Sequence, residues 1–434
     1  MLFFSSIFGI IIGQINYNNI NYKQLKLENI TNNYSSEISL ELQIINTYKK
    51  YENYTSYIGK IITINNEKID NINLLINFSP KENLYQNDKI IVDTKVDKIN
   101  NFVSTFDYEN FMKSKNIYGS LNIYFLEKEK IIRGKSGFIY KTRQKMLDAM
   151  STIFPEQEAN LLSGILIGSR QNLSKNLQEN FNNSGLTHII AVSGYNITII
   201  ILFVGIFIVY LPYFLRPFIV ALFIIIFVLL VGLEPPVLRA AIMGGMGFFV
   251  LLSGRENNSI TLLILSAAII ALFNPFILNF DISFWLSFLS VLGLTFIYPL
   301  IENKFERLPR FIRDNFSLAI SAFVFNLPIL IYFFGEISII FIISNLFVLF
   351  AIPFAMLFGF MAIILSFVNI ILGKIIGFIA YFFLHYIILM VNFFGELPFA
   401  KINLDFGFLN IYFLVLYYLI IGIFLLNKNK KTAI

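Results

Sequence analysis

From residue 187 onward the chain is a succession of long apolar runs, at about 187–211, 218–232, 237–253, 259–273, 284–300, 316–334, 338–372, 375–394 and 407–426. Runs of this length and spacing have one stable solution. In lipid a backbone must satisfy its own hydrogen bonds, so each run is expected to be a helix crossing or entering a membrane about 30 Å thick. With 56% hydrophobic residues, 14% charged residues and a mean hydropathy of +0.70, the chain cannot be a water-soluble globule. The run at 338–372 is too long for one simple span. Pro353 is expected to divide it, giving two helices or one helix with a broken or re-entrant portion. The basic loop at 302–315, with Lys304, Arg307, Arg310 and Arg313, is placed in the cytoplasm by the positive-inside rule. One net crossing of 338–372 then puts Lys428, Lys430 and Lys431 of the basic tail (427–434) on the same side, and the front of the chain outside.

The front half reads differently. Residues 2–15 are apolar, with neither a basic leader nor an Ala-x-Ala cleavage pattern, and 1–15 are expected to form an uncleaved membrane anchor. Residues 16–133 hold short alternating segments, at 38–45, 59–64, 72–78, 88–96 and 119–125, with a helical stretch at 106–117. Period two broken by Asn, Pro and Gly predicts a small all-β domain, and five strands with one helix suit an oligonucleotide-binding (OB-like) barrel. A β-sandwich fits the pattern almost as well. Residues 134–186 read as two or three amphipathic helices lying in the membrane interface or packed beside the bundle, with Ile139, Met146, Met150 and Ile153 opposite Lys141, Arg143 and Lys145. Residues 187–426 form the transmembrane domain.

Charge narrows the partners. The formal net charge is +6, yet residues 1–133 carry 15 Lys and Arg against 14 Asp and Glu, so the front domain is not by charge a magnet for polyanions. There is no Cys and there are two His, so no metal site of common type and no cofactor is expected.

Polar residues within the apolar runs are few enough to name. The segment SGLTHIIAVSGYNITII (184–200) sets His188, Ser193, Gly194 and Asn196 at the mouth of a run, as a lined passage or a helix contact would require. GLEPPVLRAAIMGGM (232–246) places Glu234 before a proline pair and Arg239 inside the next helix. An arginine that deep lines water or is paired, with Glu234 or Asp281 as partners. Asp281 stands at a helix start and reads as a cap. Ser283, Ser287 and Ser290 recur at helical spacing and suit close helix contact. Asn326, Pro328, Gly335, Glu336, Ser338, Asn345 and Pro353 give polar and breaking residues to a region that reads either as a discontinuous helix beside a water path or as polar glue between helices. His385 reads as a packed interhelical donor.

These elements, in this order, resemble the ComEC-type competence family of DNA-uptake channels. Its signature of His, two aliphatics, Ala, an aliphatic, Ser, Gly, a hydrophobic residue and His or Asn is matched by His188, Ile189, Ile190, Ala191, Val192, Ser193, Gly194, Tyr195 and Asn196. The segment FDYENFMKSKNIYGSL (106–121) is similar to the Phe-Asp-Tyr stretch that closes that family's extracytoplasmic barrel. The Arg239 element follows the family with Pro236 in place of Ser. Phe284, Leu286, Ser287 and Phe288 follow it with Trp285 in place of Gln. The late element is matched by Asn326, Pro328, Gly335, Glu336, Ser338, Asn345 and Pro353.

The resemblance implies a multi-pass protein of the cytoplasmic membrane that passes single-stranded DNA inward during natural transformation. His188, Ser193, Asn196, Arg239, Asn326 and Asn345 are then the channel-lining residues, and Gly194, Glu234, Asp281, Ser287, Glu336 and Pro353 the structural ones. Full-length relatives often carry a metallo-β-lactamase-like domain. This chain has no His-x-His-x-Asp-His motif and no GxxxxGK[ST] loop. No enzymatic activity is therefore expected, and a separate nuclease, a cytoplasmic ATPase or helicase and a DNA-receptor protein are the implied partners, alongside membrane lipid and a possible second copy of the chain. Two other classes remain open. Broken helices and sparse charge also suit a secondary transporter or a flippase for a lipid-linked substrate. An intramembrane serine protease would use Ser193, but Ala191 stands where a Gly-x-Ser motif needs Gly, and His188 lies on another helical face.

Overall fold

The structure, a computed structural model, describes residues 14–28, 38–51, 53–65, 67–69, 72–79, 83–99, 107–124, 130–169, 173–190, 194–232, 235–252, 258–404 and 410–432. Ser193 and Glu234 lie outside the described residues, as does nearly all of the expected 1–15 anchor. The chain divides into two compact units, Met1–Lys145 with Ala267–Ile282, and Met146–Ser266 with Ser283–Ile434.

The first unit is built on a curled sheet. A helix at 14–28 (α1) leads to β1 (Ile38–Lys50), β2 (Thr55–Ile64), β3 (Glu67–Lys68), β4 (Asn73–Phe78) and β5 (Lys89–Thr94). Then follow α2 (Tyr108–Ser114), β6 (Gly119–Ile123) and β7 (Ile131–Ile132). The strand path is β6-β4-β2-β1-β5-β7, antiparallel except for the parallel β4–β6 pair. An isolated bridge between Asp97 and Ser120 brings the chain after β5 back to β6, so the path turns on itself. Alternation sets the inside: Ile38, Leu40, Leu42 and Ile44 of β1 are buried while Ser39 and Ile45 are exposed. Register shifts along β1 bend the strand around that core.

Two elements outside the sheet complete this core. Ile20 and Leu27 of α1 enter it, so the helix extends well past residue 15, where the sequence reading ended the anchor. Their seven-residue spacing marks one face of a helix, but the surrounding asparagines have weak helix propensity and hide it. Phe276 of the segment Ala267–Ile282 enters the same core and stacks on Tyr17, with centroids 5.3 Å apart.

The second unit is helical. In chain order come α3 (Phe138–Ile153, which begins in the first unit), α4 (Glu156–Ile167), α5 (Lys175–Asn183), α6 (Thr187–Ile190), α7 (Gly194–Ile208), α8 (Arg216–Val231) and α9 (Pro235–Leu252). Next are α10 (Ser259–Phe273, which ends in the first unit), the short α11 (Phe276–Phe280, wholly in the first unit), α12 (Ile282–Phe296), α13 (Tyr298–Glu302), α14 (Arg310–Phe334) and α15 (Phe341–Val348). The last are α16 (Ala351–Val368), α17 (Ile370–Gly395) and α18 (Asn410–Thr432). A two-stranded ribbon, β8 (Glu336–Ser338) with β9 (Lys401–Asn403), ties the end of α14 to the chain after α17.

Among the described residues four helices are long and apolar enough to cross a membrane, and five if the bent pair Ile282–Phe296 and Tyr298–Phe305 is one span. Side chains such as Phe218, Phe378 and Phe382 stand exposed, a surface that only lipid accommodates over so many residues. The protein is a multi-pass α-helical membrane protein with an N-terminal β-domain.

Of the 134–186 helices, α4 is buried from Glu158 through Ile167 except Asn160 and packs on α16 and α17, the second of the two placements expected for these helices. The 338–372 run is broken at Leu349–Phe350, and α16 begins with Pro353 in its first turn, as a proline that withholds a donor from the carbonyl four residues earlier requires. The run breaks again at Asn369, whose extended backbone ends α16 and whose side chain caps α17 by accepting from Ile371 N at 2.8 Å.

Candidate functional site

The helical unit holds a polar seam. α9 carries Arg239, 9% exposed, between apolar neighbours, and its Nε donates to Ser287 Oγ of α12. Its Nη1 faces Met243 Sδ at 3.7 Å. Gly194, at the start of α7, lets the guanidinium approach: a Cβ there would lie 3.4 Å from Arg239 Nη2. One turn along α12, Ser290 Oγ accepts from Asn326 Nδ2 of α14 at 2.8 Å and donates to Leu286 O at 2.7 Å. The serine repeat thus links α9 to α14. Among the described residues the partners of Arg239 are a hydroxyl and a thioether, not a carboxylate, and Asn326 Oδ1 has no hydrogen-bond donor.

A second group gathers around the turn before α6. Gly185 has φ of +74° and lies so close to α15 that a Cβ would meet Phe341 Cβ at 2.9 Å, so glycine is required both by conformation and by space. This turn positions His188, whose Nδ1 lies 3.2 Å from Gly185 O and, facing a carbonyl, carries the proton. The ring meets Phe341 edge-on at 6.0 Å and faces the Asn345 side chain, with part of its surface exposed. Asn345 is 2% exposed. Beside it, Ser344 Oγ donates to Ser184 O at 2.7 Å.

The remaining predicted residues fall elsewhere. Asn196 is buried and donates to Ile165 O of α4 at 3.0 Å, a contact between helices. Asp281 belongs to the first unit, is fully buried and pairs with Lys115 Nζ at 2.9 Å. Glu336 pairs with Lys401 across the β8–β9 ribbon. Pro353 opens α16 as described above.

His385 makes the interhelical contact expected of it: its Nδ1 on α17 lies 2.9 Å from Glu158 of α4, and its ring stacks on Tyr381. Not foreseen is the contact of α5 with α17, where Asn180 donates to Asn392 at 3.0 Å and Gly395 packs against the Asn180 backbone. Among the described residues no group of three or more His, Asp or Glu is placed to hold a metal ion.

The seam and the His188 group both lie within a stretch that can be compared with known proteins. The sequence model of the family described as Competence protein matches residues 165–431, more than half of the chain. The chain belongs to the Competence protein family. As a Competence protein it is 25% identical over 248 residues to ComE operon protein 3 of Bacillus subtilis (strain 168). That match covers 56% of this chain and 31% of the relative, so the shared region is well under two thirds of the relative's length. No solved structure matches the chain. In this Competence protein the family region includes Arg239, Ser287, Ser290 and Asn326, together with His188 and Asn345.

Proposed function

We propose that the protein carries single-stranded DNA across the cytoplasmic membrane in natural transformation, with the seam of the helical unit as part of the path. The observation that supports this most directly is a nearly buried arginine held by Ser287 inside a family region of competence proteins. A guanidinium offers five N–H donors, and one hydroxyl and one thioether leave donors for a passing phosphate oxygen. Ser287, Ser290 and Asn326 add neutral groups that exchange hydrogen bonds with phosphate or sugar without trapping the strand. His188 and Asn345 add a second polar group beside α15. Weak contacts at several points permit sliding, whereas a cluster of arginines would hold the strand fast.

In this reading the β-domain faces the outside. Its strand path, three antiparallel neighbours followed by a parallel closing strand, supports an oligonucleotide-binding type of barrel. In this reading the chain acts as a conduit, and a DNA receptor, nuclease activity and a cytoplasmic ATPase or helicase complete uptake around it; self-association of the conduit is compatible with the reading.

The test is entry of labelled DNA into a nuclease-protected cytoplasmic pool. Native cells are compared with a deletion and with the deletion complemented by wild type or Arg239→Ala. Loss on deletion, restoration by wild type and weak restoration by Arg239→Ala, with DNA still bound outside, is the expected result. Unchanged entry in the deletion of a transformable host would remove the DNA reading and leave the transporter or flippase class.

A further inference from the structure

α14 contains a proline in mid-course, Pro328. Its nitrogen carries no hydrogen, so the carbonyl of Val324, four residues earlier, loses its helical donor. Between apolar helices an open carbonyl is costly and recruits a donor from a neighbour. Two phenols of α18 reach this carbonyl and the next. Tyr417 Oη donates to Val324 O at 3.0 Å, and Tyr418 Oη donates to Phe325 O at 2.8 Å. The residue that follows these two carbonyls is Asn326, whose amide reaches Ser290 in the seam. Around the two tyrosines α18 is apolar, with Val415, Leu416, Leu419 and Ile420 exposed, so the phenol hydroxyls supply the specific contact with α14.

We propose that Tyr417 and Tyr418 are positioning residues for the seam. By giving Val324 O the hydrogen bond that Pro328 withholds and by holding the neighbouring carbonyl, they fix the stretch of α14 that presents Asn326 to Ser290. The inference rests on the seam being the transit path, and it assigns α18 a part in transit that its apolar sequence does not announce. A pure packing role predicts that Phe replaces Tyr without effect. A bracing role predicts that the hydroxyls matter only while residue 328 lacks an amide hydrogen.

The chain has no cysteine, so Ser290→Cys with Asn326→Cys gives a unique reporter pair in the full-length protein. In proteoliposomes its rate of bridging by a short bifunctional thiol reagent reports the α12–α14 spacing without reference to DNA. Adding Tyr417→Phe and Tyr418→Phe is expected to slow bridging about fivefold. Adding Pro328→Ala to that background, which restores an N–H for Val324 O, is expected to return the rate to within about twofold of the starting value. In parallel, DNA entry is measured with Ser290 and Asn326 intact, and the double Phe variant is expected to lose entry while Pro328→Ala restores part of it. Unchanged bridging in the double Phe variant overturns the proposal, and so does a loss that Pro328→Ala leaves uncorrected. Altered bridging with normal entry overturns it as well. If bridging responds as expected but the wild-type protein supports no DNA entry in a transformable host, the brace stands and the transit reading fails.

Discussion

Arg239 is held by a hydroxyl, whereas Asp281 is held by a lysine, and the two sites differ in what their removal should do. Asp281 is 0% exposed against Lys115, whose side chain is 26% exposed. Asp281→Ala removes one partner of a buried pair and is expected to destabilise the first unit by about 3 kcal/mol. Asp281→Leu with Lys115→Met should recover most of that, which thermal unfolding of the full chain in detergent would measure. Tyr118 supplies a pH test. Its ring is 3% exposed, its hydroxyl has no partner among the described residues, and burial pushes its pKa from 10.0 up to about 12. The folded state therefore holds the proton more tightly than the unfolded chain. The stabilisation is fully present below pH 10 and is lost as pH rises toward 12. Tyr118→Phe should flatten the fall in unfolding midpoint across that window at little cost below it. At this scale the sequence announces which polar residues are unusual, because a lone charge in an apolar run is visible. It does not announce pairings: Arg239 and Asp281 looked like possible partners, and each found its own contact through neighbours far away in the chain.

Among the elements, α17 depends on close approach. A Cβ at Gly395 would lie 2.6 Å from Asn180 Cα and O of α5. Gly395→Ala should therefore push α5 from α17, strain the Asn180–Asn392 hydrogen bond and destabilise the helical unit by about 2 kcal/mol. Purified full-length protein would show this as a lowered unfolding midpoint, and an unchanged midpoint would mean that α5 moves freely. Apolar length announced the helices, though only four or five of the nine runs are long enough to cross a membrane among the described residues. The proline marked the first break in the 338–372 run, because a helix that must restart at Pro353 cannot bond back to the residue four earlier. The second break was hidden: Asn369 ends α16 through an extended backbone and caps α17 with its side chain, and an asparagine in an apolar run also reads as a polar contact. In α4 two glutamates in the first turn give an amphipathic look, while the nine residues that follow include only two polar ones and are almost wholly buried.

For the molecule as a whole, the proposed function makes a prediction about salt. If the seam is the path of a single strand, one arginine among otherwise neutral groups should lose affinity with a logarithmic slope near 0.7 per phosphate contact, and hence only shallowly. Binding of a labelled single strand to proteoliposomes, measured over a tenfold range of salt, should give such a slope, and Arg239→Gln should reduce it by about 0.7. A slope of several units would place a basic surface elsewhere on the protein. The division into a β-domain and a helical region was legible from the change of period near residue 133 and from the apolar runs after 187. The return of Ala267–Ile282 to the first unit was not, because nothing in local composition marks a segment whose partner lies well over a hundred residues earlier. That return bears on how the protein is made. Phe276 fills the core of a sheet whose strands leave the ribosome long before it does, so the sheet must wait, incompletely closed, while several membrane segments are synthesised and inserted. A fragment ending after the last strand would lack both Phe276 and the counter-ion of Lys115, and biogenesis of the β-domain is thereby coupled to successful insertion of the helices that follow it.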